Sequence, residues 1–163
     1  MAATVQIHEM TAAGTGTDKT DATIRFKSAD NTDYDSNDRI TIPASGTTYS
    51  YTKQLQTYVS VAPDTDLQDL EAYSDGTNSF GTGIGVQYDV LASFTSNVNT
   101  DISGTDFFTS DSGSAIDLDA NNTGPHTGTG YQGDILRLQM TVADTATQGT
   151  LDSEDVTVAY TET

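Results

Sequence analysis

The sequence has no cysteine, no tryptophan and only three lysines, and it has no long apolar run. Without cysteine the chain can form no disulfide, no thiolate metal site and no cysteine nucleophile. No apolar run reaches the roughly 20 residues that a membrane-spanning helix needs. Residues 1–4 lack the basic start and apolar core of a signal peptide. We therefore expect a protein that is made in the cytoplasm and that, if it leaves, does so by assembly or lysis.

Positive charge is also scarce, because 24 acidic residues face 6 basic ones and the formal net charge is −18. Binding to nucleic acid or to anionic lipid requires lysine and arginine, so neither is an expected partner. Self-repulsion strains such a fold at low salt, whereas in molar salt the Debye length falls to about 3 Å and the repulsion is screened. Together with 20 aspartates and 29 threonines, this charge indicates a halophilic source. The alternative is an acidic secreted or virion surface.

The apolar residues that are present alternate with polar ones, and no segment of helical length shows an apolar stripe of period 3.6. Clusters of glycine, asparagine, serine and proline separate the alternating runs. We predict an all-β fold, a two-sheet sandwich of the jelly-roll or immunoglobulin-like type with about 8–10 strands, forming one domain over residues 1–163. The predicted strands span residues 4–10, 22–27, 39–42, 49–61, 67–73, 84–90, 136–142 and 156–160. The segment 67–73 would also suit a short helical turn.

Residues 93–132 are the least patterned segment and are predicted to be a long loop, where contacts with a partner usually lie. Four phenylalanines in loop regions are candidate interface residues: Phe80, Phe94, Phe107 and Phe108. The alternative is that they fill the ends of the sandwich. The glycine run 81–85 has no lysine and leads into a strand, so it predicts a bulge or close packing rather than a phosphate loop.

Catalysis is limited by the two histidines. His8 is predicted to face outward on the first strand, and His126 lies in a Gly-Pro-His-Thr-Gly loop. Neither has the context of a nucleophile and base, and their separation disfavours a zinc site. Four glutamates and no tryptophan disfavour a glycosidase. We expect the protein not to be an enzyme.

Calcium is the strongest candidate ligand, because it binds clustered carboxylate and carbonyl oxygens. The stretch 30–38 alternates such groups, and Asp30, Asp33 and Asp35 are the candidate ligands. It lacks the central glycine and closing glutamate of an EF-hand, so a solvated acidic loop is the alternative. A second, weaker candidate comprises Asp117, Asp119, Asn121 and Asn122.

Two stretches, 73–83 and 149–160, carry a family resemblance, together with the Ile-Pro-Ala-Ser-Gly turn at 42–46 before an aromatic strand and the strand at 136–140. In these turns and strand faces, over roughly residues 20–160, the chain resembles β-rich virion structural proteins of tailed viruses of bacteria and archaea. The resemblance carries over no catalytic residue.

With the charge, the resemblance implies a decoration or turret protein on the capsid surface or vertices of a tailed virus adapted to high salt. Its expected partners are itself, as a homo-oligomer, and other virion proteins such as the major capsid protein. Its expected location is the virion. Two alternatives stay open: a tail component such as the tail tube, and a calcium-dependent extracellular adhesion or ligand-binding module.

Overall fold

The fold is nearly all β, with two antiparallel sheets packed as a sandwich, which confirms the predicted fold class. The computed structural model describes residues 2–31 and 35–163. Over those ranges there are ten strands and two short 3₁₀ turns, Ser36–Asp38 and Phe107–Thr109. The strands are β1 (Thr4–Ala12), β2 (Thr15–Asp18), β3 (Thr47–Tyr49), β4 (Lys53–Val61), β5 (Leu67–Tyr73), β6 (Ile84–Leu91), β7 (Thr105–Asp106), β8 (Ile116–Asp117), β9 (Gly130–Ala143) and β10 (Thr157–Glu162).

The two sheets differ in size. The large sheet has the order β2-β1-β4-β9-β6-β7, with β3 pairing the end of β9, and the small sheet has the order β10-β5-β8. The long β9 binds β4 on one side and β6 on the other, so it forms the centre of the large sheet. Within the described ranges, no helix has the length and apolar character needed to cross a membrane.

The core lies between the two sheets, because alternate residues of each strand turn toward the other sheet. It includes Leu55, Val86, Leu136 and Leu138 of the large sheet, Leu70, Ala72 and Ile116 of the small sheet, and Leu118, Phe107 and Phe108 beside them. Full burial of each large apolar side chain contributes about 1.5–3 kcal/mol. A smaller cluster of Ile84, Met140 and Val142 packs with the partly buried Phe26, Ile40, Phe80 and Ala146.

Two predicted strands are wrong. Residues 22–27 and 39–42 form no ladder and run as irregular chain. Ile24, Phe26 and Ile40 are nevertheless partly buried against the core clusters. The alternation therefore correctly indicated which side chains turn inward, but it did not predict the backbone pairing.

The predicted strand 49–61 is interrupted at residues 50–52, between β3 and β4. There the backbone amides bond to three different segments: Ser50 N to Met140 O (3.0 Å), Tyr51 N to Lys27 O (2.9 Å) and Thr52 N to Val98 O (2.9 Å). Val61 is 37% exposed at the end of β4. By contrast, the segment 67–73 is strand β5, as predicted, although Asp69 adopts φ +53° at a bulge opposite β10.

The glycine run before β6 packs closely, as expected for this segment. Gly83 adopts φ +76°, and a Cβ added there would lie 2.7 Å from Ala146 N. A side chain would therefore collide with the backbone of the turn after β9.

Candidate functional site

A cleft of about 400 Å³ opens between the end of β1 and the loops at residues 30–31 and 94–97. Its lining residues are Glu9, Met10, Thr11, Asp30, Asn31, Lys53, Phe94, Ser96 and Asn97. It brings together one predicted calcium ligand, Asp30, and one predicted interface residue, Phe94, which are distant in sequence. The cleft is the candidate functional site.

The cleft contains a buried ion pair. Lys53 Nζ lies 2.7 Å from Glu9 Oε1, and the two side chains are only 5% and 7% exposed. Glu9 of β1 pairs with Leu55 of β4. Because residues two apart on a strand point to the same face of the sheet, Lys53 projects beside Glu9. An isolated buried charge would be strongly destabilising, so each group stabilises the other.

All three lysines of the chain meet around this pair. Lys19 Nζ lies 3.7 Å from Glu9 Oε2, and the buried Lys27 donates to the side-chain oxygen of Asn31, whose backbone oxygen is 3.5 Å from Lys53 Nζ. The three lysine side chains are thus drawn inward, although the chain as a whole is strongly acidic.

The chemistry available in the cleft is hydrogen bonding and apolar contact. Asn31 and Asn97 supply amides, Asp30 supplies a carboxylate that accepts from Asn97 Nδ2 at 2.9 Å, and Phe94 supplies an aromatic side chain. A charged ligand would have to compete with the existing pair of Glu9 and Lys53.

The calcium candidates at 30–38 are only partly described. Asp30 lies at the cleft, while Asp35 Oδ1 accepts from Asn37 N at 2.8 Å and caps a 3₁₀ turn. Asp33 lies outside the described residues. Within the described ranges, no group of three or more acidic or histidine side chains is placed to hold a metal ion. A calcium site involving Asp33 stays a prediction.

The second candidate group is used inside the fold. Asp119 accepts from Leu70 N at 3.1 Å and lies 2.8 Å from His126 Nε2. Asp117 accepts from the backbone amide of Asp119 at 2.7 Å. Asn121 and Asn122 turn toward a different carboxylate, so the structure does not gather these four side chains around one point.

That carboxylate is Asp134, which is 0% exposed and was not singled out from the sequence. It accepts four hydrogen bonds, from the backbone and side-chain amides of Asn121 (2.8 and 2.9 Å) and of Asn122 (2.9 and 2.6 Å). A carboxylate with this many donors is satisfied without a metal or a cationic side chain. It fixes the loop at 119–122 to β9.

The first histidine is covered rather than exposed. His8 is 9% exposed, stacks on Tyr58 with ring centroids 4.4 Å apart, and meets the edge of Tyr131. Its Nδ1 lies 3.2 Å from the Tyr131 hydroxyl and its Nε2 lies 3.3 Å from Gln6 Oε1. Burial lowers the pKa of His8 below its usual value, while the negative charge of Asp18 opposes that shift.

The four phenylalanines separate into two kinds. Phe107 and Phe108 are 2% and 8% exposed in the core, which is the filling role considered as the alternative for them. Phe80 is half-buried and meets Phe108 edge-on at 6.0 Å. Phe94 contributes to the cleft, so of the four it is the one placed at a recess. Contact of Phe80 or Phe94 with a partner stays a prediction.

Residues 95–102 of the predicted loop pack on the face of the large sheet that points away from the core. Gln54 and Gln139, both fully buried, bind the backbone of this segment: Gln54 Nε2 to Thr95 O at 2.6 Å, and Gln139 Nε2 to Thr100 O at 3.0 Å. Gln87 Nε2 donates to Gln139 Oε1 at 2.8 Å and joins the network. In the sequence, each of these three glutamines lies next to core-facing residues of its strand, and this pattern could have indicated that a polar segment covers the outward face of the sheet. This part of the loop is therefore occupied within the fold.

No protein-family model, no curated protein and no solved structure matches the chain.

Proposed function

We propose that the chain is a non-catalytic structural protein that decorates or stabilises the capsid surface or vertices of a tailed virus adapted to high salt. The observation that carries the proposal is the distribution of charge. The net charge is −18, and all three lysines are drawn toward Glu9 and Asn31. The exterior is thus dominated by carboxylates.

Such an exterior suits concentrated salt. Repulsion among the surface carboxylates is long-ranged at low ionic strength and short-ranged in molar salt, where the Debye length is about 3 Å. Short aspartate side chains also bind water strongly and resist precipitation at high ionic strength. A particle exposed directly to brine needs this property on its outermost protein.

The polar interior supports a structural rather than a catalytic role. Buried polar groups such as Asp134, Gln54 and Gln139 are bound to loop segments of the same chain. The ring nitrogens of His8 bond to Tyr131 and Gln6, and Nε2 of His126 bonds to Asp119. The contacts of Asp134, Gln54, Gln139 and His126 hold loops on the sandwich, and those of His8 join strands β1 and β9. Such a use of the polar groups suits a shell component.

Quantitative mass spectrometry of gradient-purified particles and of whole cells from a halophilic culture carrying the gene tests the proposal. An Asp-directed protease should be used, because only 6 basic residues offer tryptic sites. Peptides that follow the intact particle at tens to hundreds of copies would agree with a repeated shell component. Particle imaging would then separate a capsid position from a tail position.

Peptides found only on cell envelopes or in the medium would contradict the particle assignment. Calcium-dependent adhesion would then be the better account, and a chelator should lower the melting temperature of the purified protein. An unchanged melting temperature in chelator would argue against that alternative too.

A further inference from the structure

The last strand, β10, lies at an edge of the small sheet, whose order is β10-β5-β8. It is six residues long, whereas β8 at the opposite edge has two. Natural sheets usually guard long edges with charges, prolines or covering segments, because exposed backbone groups can pair with another chain. Whether β10 can bind a partner therefore depends on whether charged residues, prolines or covering segments protect its edge.

The backbone direction of β5 fixes which groups of β10 face outward. Leu70 O accepts from Leu118 N at 2.8 Å, and Leu70 N donates to Asp119 Oδ2 at 3.1 Å. The backbone groups of Leu70 therefore point toward the β8 side. In an antiparallel ladder successive residues alternate in direction, so those of Glu71 and Tyr73 point toward β10.

The register carries this alternation onto β10. Ala159 pairs with Glu71, so its backbone groups face β5. Beyond the bulge between Ala159 and Thr161, Thr163 and Asp66 exchange backbone hydrogen bonds at 3.1 and 3.4 Å. The backbone groups of Thr163 therefore face β5, as those of Ala159 do. Val158 and Tyr160 consequently direct their N–H and C=O groups to the open side of the sheet.

This edge is uncharged in an otherwise acidic chain. Residues 157–161 read Thr-Val-Ala-Tyr-Thr, and Tyr160 is 39% exposed. The nearest acidic residue on the strand is Glu162, whose carboxylate accepts from Ala3 N at 2.9 Å. Neither charge nor proline guards the central part of the edge.

We infer that the open edge of β10 pairs antiparallel with β10 of a second copy of the chain. A register centred on Ala159 sets the outward-facing residues of the two copies opposite each other. In that register Glu162 lies opposite Val156, and Asp155 lies opposite Thr163, so no acidic side chain opposes another in the ladder. The same surface serves both copies, as a closed two-fold dimer requires.

Charge and area set the conditions for this dimer. Each copy carries a net charge of −18, so association needs screening by molar salt. One short strand pair buries less than the roughly 1,200 Å² of a standard stable interface, so the dimer should be weak and concentration-dependent. The pairing concerns the isolated chain, so it can fail while the particle assignment holds, and the reverse.

The test combines sedimentation velocity with amide hydrogen exchange in molar KCl. Tyr160→Pro removes an outward N–H from the edge, and Tyr160→Ala, which removes the side chain but keeps the N–H, is the matched control. We expect concentration-dependent dimers for the wild type and for Tyr160→Ala, and monomers with an unchanged fold for Tyr160→Pro. In the wild type, the amides of Val158 and Tyr160 should exchange at least several-fold more slowly as protein concentration rises.

Two results would overturn the inference. One is a wild-type chain that stays monomeric in molar KCl at high protein concentration. The other is a dimer in which the Val158 and Tyr160 amides exchange as fast as in the monomer. Because the exchange readout uses the wild type, it decides the question even where Tyr160→Pro fails to fold.

Discussion

The buried pair of Glu9 and Lys53 makes a quantitative prediction about stability. Its atoms are 2.7 Å apart, and both side chains are less than a tenth exposed. Removing one partner of a buried pair costs about 3–5 kcal/mol, because the other charge stays buried without compensation. Lys53→Met should fall at the lower end of that range, since Lys19 lies 3.7 Å from the other carboxylate oxygen. The double variant Glu9→Leu/Lys53→Met should lie within about 1 kcal/mol of the wild type.

The two single variants change the net charge in opposite directions, which distinguishes the local effect of the buried pair from long-range repulsion. Removing Lys53 makes the net charge more negative, whereas removing Glu9 makes it less negative. If overall repulsion dominated, Glu9→Leu would stabilise the fold. The buried pair predicts instead that both single variants destabilise it. The exposed Arg39 offers a control, because Arg39→Met changes the net charge as Lys53→Met does and should shift stability by only about 0.5 kcal/mol.

Urea unfolding in molar KCl is the appropriate assay, because urea leaves the ionic strength unchanged. The free energies of unfolding of the wild type, both single variants and the double variant form a complete cycle. A coupling energy below about 1 kcal/mol would refute the reasoning, since neighbours that compensate each other's burial must couple more strongly.

Three further variants test other parts of the interior. Thr57 has a buried Oγ1 with no partner among the described residues, so Thr57→Val should raise the urea-unfolding free energy by about 1 kcal/mol, and a loss of stability would show that the hydroxyl is satisfied. Burial lowers the pKa of His8 in the fold, so the unfolded chain takes up its proton first, and stability should fall as pH drops below about 6.5. His8→Phe keeps an aromatic ring stacked on Tyr58 but cannot bind the proton. Its melting temperature should therefore fall less than that of the wild type between about pH 7.5 and about pH 5.5, and an unchanged pH profile would contradict the assignment. Asp134→Ala leaves four donors without their acceptor and should cost about 3 kcal/mol in urea unfolding, whereas a cost below about 1 kcal/mol would mean that the loop rearranges freely.

Alternation in the sequence predicted the long strands whose apolar side chains form the core. In β9 the apolar side chains at 136, 138, 140 and 142 all lie in the core clusters. The same pattern failed at 22–27, because Ile24 and Phe26 pack inward without a neighbouring strand in register. Inward packing is a local property of a sequence, whereas ladder pairing depends on which distant segment lies alongside.

The candidate site was less predictable for the same reason. Asp30 and Phe94 were each singled out, but for different roles, and only the fold places them in one cleft. The sequence patterns likewise did not indicate that Lys53 would meet Glu9, or that Asp134 would collect the amides of two asparagines. Polar pairs across long sequence separations leave no periodic signal.

The acidic exterior carries the proposed function, and its role can be measured directly. The free energy of unfolding in urea should be compared between about 0.1 M and about 3 M KCl for the wild type and for a variant with Asp21, Asp152 and Asp155, all exposed, changed to asparagine. Screening of carboxylate repulsion predicts that stability rises with salt by several kcal/mol in the wild type and by less in the variant. A wild-type stability that is flat or falls with salt, or an equal rise in both proteins, would contradict adaptation of this surface to brine.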